Sequence, residues 1–250
     1  MNMSHNTVLI TGGSSGIGLA MAEAFLKAGN IVAVCGRRED RLQAVRDRHP
    51  NLLTRVCDIS VGRSRLDLAD WAASALPGLN VLINNAGIQR DIDFTQGLGD
   101  FLSGESEIRV DLEAPILLSG LLIPLLKANK PSTIVNVSSG LGFVPAACMP
   151  VYCAAKAGMH AWSMALRRQL APTGIKVVEV APPAIDTNLN PEGRAARGGF
   201  KAGLGPEEFV ASVMEQLKAD IPEIGYGATA GFLHASRADL DQAFERMNQA

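Results

Sequence analysis

Residues 7–26, TVLITGGSSGIGLAMAEAFL, pass without interruption from a β-branched run through a glycine-rich turn into an apolar repeat of helical period. Glycine at 12, 16 and 18 lets the chain turn tightly, brings backbone N–H groups close to an anion and allows a helix to pack on the strand it follows. Leu19, Ala22, Phe25 and Leu26 then recur every three to four residues before Gly29. Such a strand, turn and helix can seat a dinucleotide pyrophosphate at the helix N-terminus. The spacing is G-x-x-x-G-x-G, looser than the common G-x-G-x-x-G, and no G-x-x-x-x-G-K-[ST] occurs, which disfavours a nucleoside triphosphatase.

The same alternation continues outward. Strand-like runs lie at 7–11, 31–36, 52–58, 81–87, 133–139 and 175–183, with helical stretches between them, including 116–127 and 154–170. This predicts an α/β fold: a doubly wound, Rossmann-type parallel sheet with helices on both faces, in a single domain over 1–250. After Thr187 the texture changes to NLNPEGRAARGGFKAGLGPEEF, with five glycines, two prolines and little periodicity. We expect a substrate-binding loop at about 188–205, a helix from Pro206 and a helical tail from about 235 to 247.

At 250 residues and 47% hydrophobic content the chain can bury one large core. Its 23 basic and 25 acidic residues give a net charge of −2, and no basic stripe is interleaved with aromatics, so nucleic acid is not an expected partner. The four cysteines form no C-x-x-C pair and read as reduced thiols of a cytoplasmic protein. The start shows no secretory signal pattern, no apolar run is long enough to span a bilayer, and the four scattered histidines suggest no metal site.

Chemistry is carried by Ser139, Tyr152 and Lys156. Residues i and i+4 share a helix face, so the phenol and the ammonium can enter one cleft. A tyrosine titrates near about 10, and a neighbouring cation is expected to lower that value toward useful acid/base chemistry. Ser139 can donate a hydrogen bond to a substrate oxygen. At the end of the second strand stand Gly36, Arg37 and Arg38, where an NAD-preferring site has an acidic residue for the ribose diol. Guanidinium groups there suit a 2′-phosphate, so NADP(H) is preferred, with NAD(H) possible.

Together TGGSSGIG at 11–18, NNAG at 84–87, Ser139 and Tyr152-xxx-Lys156 resemble the short-chain dehydrogenase/reductase family, over about residues 7–187. VLINNAGIQR, VNVSSGLGFVPAACMPVYCAAKAG and VAPPAIDT are similar to its DltE-like subgroup. The resemblance implies about seven parallel strands and a set of roles. Gly12, Ser14, Ser15, Gly16, Ile17 and Gly18 would surround the pyrophosphate; Asp58 would hold the adenine amino group; Asn85, Ala86 and Gly87 would border the adenine ribose. Lys156 would bind the nicotinamide ribose beside Tyr152, with Pro182 and Thr187 near the carboxamide. Tyr152 would be the general acid/base and Ser139 the oxygen-stabilising donor, with Ser138 as fallback.

Two departures stand out. Asp111 occupies the place of the family's relay asparagine, and Pro183 replaces a usual glycine. We place Asp111 with the catalytic residues, against the alternative of a surface carboxylate. Gln89, Gly140, Leu141 and Met149, with Phe143 and Val144, are expected to line a mostly apolar substrate pocket. The implied activity is hydride transfer between NADP(H) and a carbonyl or alcohol, in a homodimer or homotetramer built on residues 116–127 and 154–170. The alternatives are a non-catalytic NADP(H) sensor and, remotely, a serine hydrolase, which lacks its G-x-S-x-G elbow.

Overall fold

Strand β1 (Thr7–Thr11) lies between β2 (Ile31–Gly36) and β4 (Leu79–Asn84), with β3 (Leu53–Val56) outside β2. On the other side follow β5 (Ser132–Val137), β6 (Ile175–Ala181) and β7 (Glu223–Gly225), giving the order β3-β2-β1-β4-β5-β6-β7 with every pair parallel. This is the computed structural model of the chain, described for residues 1–199 and 203–249. The chain winds outward from β1 in one direction and resumes at β4 in the other, so the crevice above the carboxyl ends of β1 and β4 is the switch point where such sheets bind ligands. β7 has only three residues, too few to give a periodic signal of its own.

Helices α1 (Gly16–Lys27), α2 (Glu39–Arg48), α3 (Gly62–Ala75), α4 (Gly99–Leu102), α5 (Ala114–Ala128), α6 (Pro150–Leu170), α7 (Pro191–Ala196), α8 (Pro206–Lys218), α9 (Ala228–Phe232) and α10 (Arg237–Met247) complete the architecture. Strand residues alternate between two cores. Val8 and Ile10 join Met21, Phe25, Phe209 and Val213 on the α1/α8 face. Leu9 joins Leu68, Leu118, Leu122 and Leu166 on the α3/α5/α6 face. Each such side chain contributes about 1.5–3 kcal/mol by leaving water, which is why the central strands carry apolar residues at consecutive positions.

Helix α6 begins at Pro150, one turn before the expected start, because proline at the first helical position loses no needed N–H. Tyr152 therefore sits in the first turn. The expected loop at 188–205 is partly helical: Asn190 caps α7 by accepting from Gly193 N at 3.1 Å and donates to Asp91 Oδ1 at 2.7 Å, and Arg197 pairs with the same carboxylate. Residues 200–202 of that loop lie outside the described residues. Helix α10 starts with a Ser236/Asp239 capping box, and Asn248 beyond it bonds Ala147 N and Pro145 O. Among the described residues, no helix is long and apolar enough to cross a membrane.

Candidate active site

The turn after β1 is shaped by close approach. Gly12 has φ +69°, and a Cβ there would lie 2.8 Å from Ala86 Cα; a Cβ on Gly18 would lie 2.4 Å from Asn85 Nδ2 and 2.5 Å from Gly12 O. Asn85 Nδ2 donates to Thr11 O and Gly12 O, while Thr11 Oγ1 accepts from the backbone N–H groups of Asn85 and Ala86. These bonds tie the NNAG segment to the glycine turn across the switch point. Ser15 is the N-cap of α1 but makes no side-chain capping bond, so the first-turn N–H groups of Gly16, Ile17 and Gly18 are not capped by that side chain. Thr187 completes the rim, its Cγ2 being 3.2 Å from where a Gly16 Cβ would be. A glycine cradle at a helix N-terminus fits a pyrophosphate.

Around the turn lie the other expected cofactor residues. Ser14 Oγ is in contact range of Gly36. Arg37 pairs with Glu105 from the segment after β4, and Arg38 is the N-cap of α2. Asp58 accepts from Ser60 N at 2.9 Å and Ser60 Oγ at 2.7 Å through Oδ1. Pro182 O accepts from Gly140 N at 2.9 Å.

Ser139, Tyr152 and Lys156 come together beside this rim. Tyr152 is 5% exposed and Lys156 4%, and the ammonium is 5.5 Å from the centroid of the phenol ring. Ser139 lies near enough to the Tyr152 phenol to act on its proton affinity, and its Oγ accepts from Leu141 N at 3.1 Å. Ser138 points elsewhere, its Oγ donating to Glu179 Oε1 at 2.5 Å. Lys156 Nζ donates to Val137 O at 3.0 Å and lies 3.4 Å from Asp111 Oδ2.

The expected acidification of Tyr152 is not what the polypeptide produces. Burial pushes the phenol above its ordinary value and the Asp111 charge pushes it the same way, while Ser139 only partly opposes them. Lys156 is already committed to a carboxylate and a carbonyl, so little of its field is left for the phenol.

Asp111 is not a surface carboxylate. It is 0% exposed, on a π-helical turn over Arg109–Glu113, and accepts from Ile88 N at 2.9 Å. A Cβ on Gly87 would lie 2.8 Å from Asp111 Oδ2, so the carboxylate reaches this place only because residue 87 is glycine. Burial raises its pKa to about 6, against the lowering effects of Lys156 and Ile88 N–H. An unfolded aspartate titrates near about 3.9. Between about pH 4 and 6 the folded chain holds a proton that the unfolded chain has lost, so this group's contribution to stability falls as pH rises through that window. The change amounts to about 2–3 kcal/mol. Asp111→Asn removes it: from pH 4 to pH 8 the variant's melting temperature should gain roughly 4–12 °C relative to the parent, and parallel melting curves would refute the assignment.

Glu107, also 0% exposed, accepts from Arg90 N at 2.8 Å, and its charge adds to the raising of Tyr152. Of the expected pocket residues, Leu141 and Met149 pack with Ala146, Tyr152 and Cys153 in a small apolar cluster. Gln89 is half-buried after β4. Gly140 is buried, and a Cβ there would lie 2.4 Å from Thr229 Cγ2. Val144 is 0% exposed and Phe143 faces His160, so both support the loop. Glu107, Glu179 and His160 were not singled out from the sequence for this site. The available signal was a glutamate within the apolar run IKVVEVA.

The short chain dehydrogenase family profile matches residues 6–198. The chain is 45% identical over 248 residues to "Uncharacterized oxidoreductase DltE" of Bacillus subtilis (strain 168), covering 99% of this chain and 98% of that protein. A short chain dehydrogenase from Burkholderia cenocepacia J2315, solved in complex with NADP, superposes with a TM-score of 0.84 at 25% identity over all of both chains. A short chain dehydrogenase/reductase from Burkholderia phymatum, solved in complex with NAD, shares the fold with a TM-score of 0.84 at 20% identity, covering 97% of this chain and 96% of that one. With the glycine turn, the NNAG strand and the Tyr-xxx-Lys helix in their expected order, this chain belongs to the short chain dehydrogenase family of oxidoreductases.

Proposed function

We propose that the chain is an NADP(H)-dependent carbonyl reductase and alcohol dehydrogenase in which Tyr152 is the general acid/base. The observation that carries this reading is the buried contact between Ser139 and Tyr152, one helical turn from Lys156 and beside the glycine cradle. A bound nicotinamide supplies or accepts hydride. Gly12, Gly16, Ile17 and Gly18 would hold its pyrophosphate, Asp58 the adenine, Asn85 to Gly87 the adenine ribose, Lys156 the nicotinamide ribose, and Pro182 and Thr187 the carboxamide. Ser139 orients the substrate oxygen and Tyr152 moves the proton at that oxygen. Burial and Asp111 keep the phenol in its protonated form, the form that gives its proton to the oxygen in carbonyl reduction.

Arg37 and Arg38 at the end of β2, with no acidic residue before them, support a 2′-phosphate. Arg37 would exchange Glu105 for that phosphate. The cluster of Leu141, Ala146 and Met149 suits an apolar ketone or aldehyde. Exposed Leu117 and Leu121 on α5 and Met164 on α6 support a homodimer or homotetramer, which sedimentation velocity tests.

Fluorescence titration with NADPH and NADH, followed by a ketone and aldehyde panel read at the reduced-nicotinamide absorbance, tests the whole reading. Tighter NADPH binding and oxidation of the cofactor by at least one carbonyl are the expected results. Cofactor binding with no turnover across the panel would point to a sensor, and no binding of either cofactor would end the reading.

A further inference from the structure

Beneath the Ser139 loop lies a buried acid that the proposed chemistry does not use. Glu179, in the middle of β6, is 0% exposed, and both its oxygens are engaged. Oε1 accepts from Ser138 Oγ at 2.5 Å, and Oε2 is 2.7 Å from His160 Nδ1. His160 stands one turn beyond Lys156 on α6, and its ring centroid is 4.5 Å from that of Phe143. The segment from Ser138 to Phe143 is thus gripped at both ends by one acid and one imidazole. Between those ends lie Ser139, Gly140 and Leu141. Gly142 is pressed onto α6 in the same loop, where a Cβ would lie 2.9 Å from Lys156 O.

We propose that His160 and Glu179 are positioning residues, a charged pair that clamps the Ser138–Phe143 loop so that Ser139 is held against Tyr152. The proposal rests on the reading of Ser139 and Tyr152 given above. A carboxylate without solvent is costly unless a charge and hydrogen bonds compensate it, and protonated His160 supplies the charge. When His160 loses its proton, the carboxylate loses its counter-charge and its hold on the Ser138 hydroxyl weakens. The groups that act on His160 are Glu179 on β6, which raises its pKa most, Glu223 on β7, which also raises it, and Arg167 on its own helix, which lowers it; burial lowers it too. The Phe143 ring on the loop side carries no charge. Since the net shift is upward from 6.5, the clamp is intact at low pH and is released as pH rises through the folded-state value.

NMR titration of the His160 ring and steady-state kinetics test this together. In the parent protein His160 should titrate above the ordinary imidazole value, and in Glu179→Gln it should fall back toward about 6.5. His160→Gln, which keeps a donor without the charge, should lower kcat for carbonyl reduction about tenfold through misplacement of Ser139. It should leave cofactor affinity unchanged and remove an alkaline limb in kcat that coincides with the His160 midpoint. A variant that merely loosens the fold would lower the melting temperature without deleting that limb. A parent His160 that titrates at or below the ordinary value overturns the proposal. So does a His160→Gln enzyme with parental kcat and the same limb, and neither result depends on whether Glu179→Gln folds. Tyr152→Phe, assayed beside it, separates the two readings: full turnover in that variant sinks the assignment of the site, whereas a dead Tyr152→Phe with an unaffected His160→Gln sinks only the clamp.

Discussion

Tyr152→Phe is expected to cut turnover by about 10²–10⁴, the usual contribution of a positioned general acid or base. Cofactor affinity should stay within about twofold, because the phenol oxygen faces Ser139 while the pyrophosphate cradle lies on the β1 turn. The ring of Tyr152 packs against Met149 and Leu141, and phenylalanine preserves that packing. Ser139 keeps its bond from Leu141 N, so the change in melting temperature should be small. Stopped-flow measurement of hydride transfer with bound reduced cofactor reads the effect directly. Retained turnover at the parental rate would refute the general-acid assignment.

The second large effect concerns Gly18. A methyl group there would stand 2.4 Å from Asn85 Nδ2 and 2.5 Å from Gly12 O, well inside contact distance, and one of the two is backbone. The turn and the NNAG strand must separate, which breaks the bonds from Asn85 Nδ2 to Thr11 O and Gly12 O. Gly18→Ala should therefore cost about 1–3 kcal/mol of stability. By displacing the backbone donors of the cradle it should also weaken reduced-cofactor binding at least about tenfold, the loss of one charge-assisted hydrogen bond. Thermal melting and a fluorescence titration measure the two losses. Gly99→Ala is the control, since a Cβ there meets nothing within 4 Å. Equal behaviour of the two variants would show that the close approach at Gly18 does not matter.

Six of the seven strands were legible: five carry the apolar runs of strands buried in the sheet, and the exposed edge strand β3 shows itself by its place in the alternation. β7 was not, since three residues hold no period. The glycine turn was legible because close approach leaves glycine as the only residue that fits. Tyr152 and Lys156 could be placed on one face from their spacing alone. The electrical state of that pair was another matter. The separation of four residues says that an ammonium is near a phenol; it does not say that Asp111, forty-one positions earlier, faces the same ammonium.

What the amino-acid sequence determined by itself was whatever follows from local order: the alternation of strands and helices, the turn at 12–18, and the helical register of Tyr152 and Lys156. Those features depend on residues within a few positions of one another, so period and residue type specify them. The tertiary structure alone decided how much charge and burial each group meets. It placed Asp111 without solvent against Lys156 and kept the phenol protonated. It also joined Ser138 to His160 through a glutamate on a neighbouring strand. Those energies depend on the dielectric and the charges within a few ångströms, and the elements that supply them are distant in the chain.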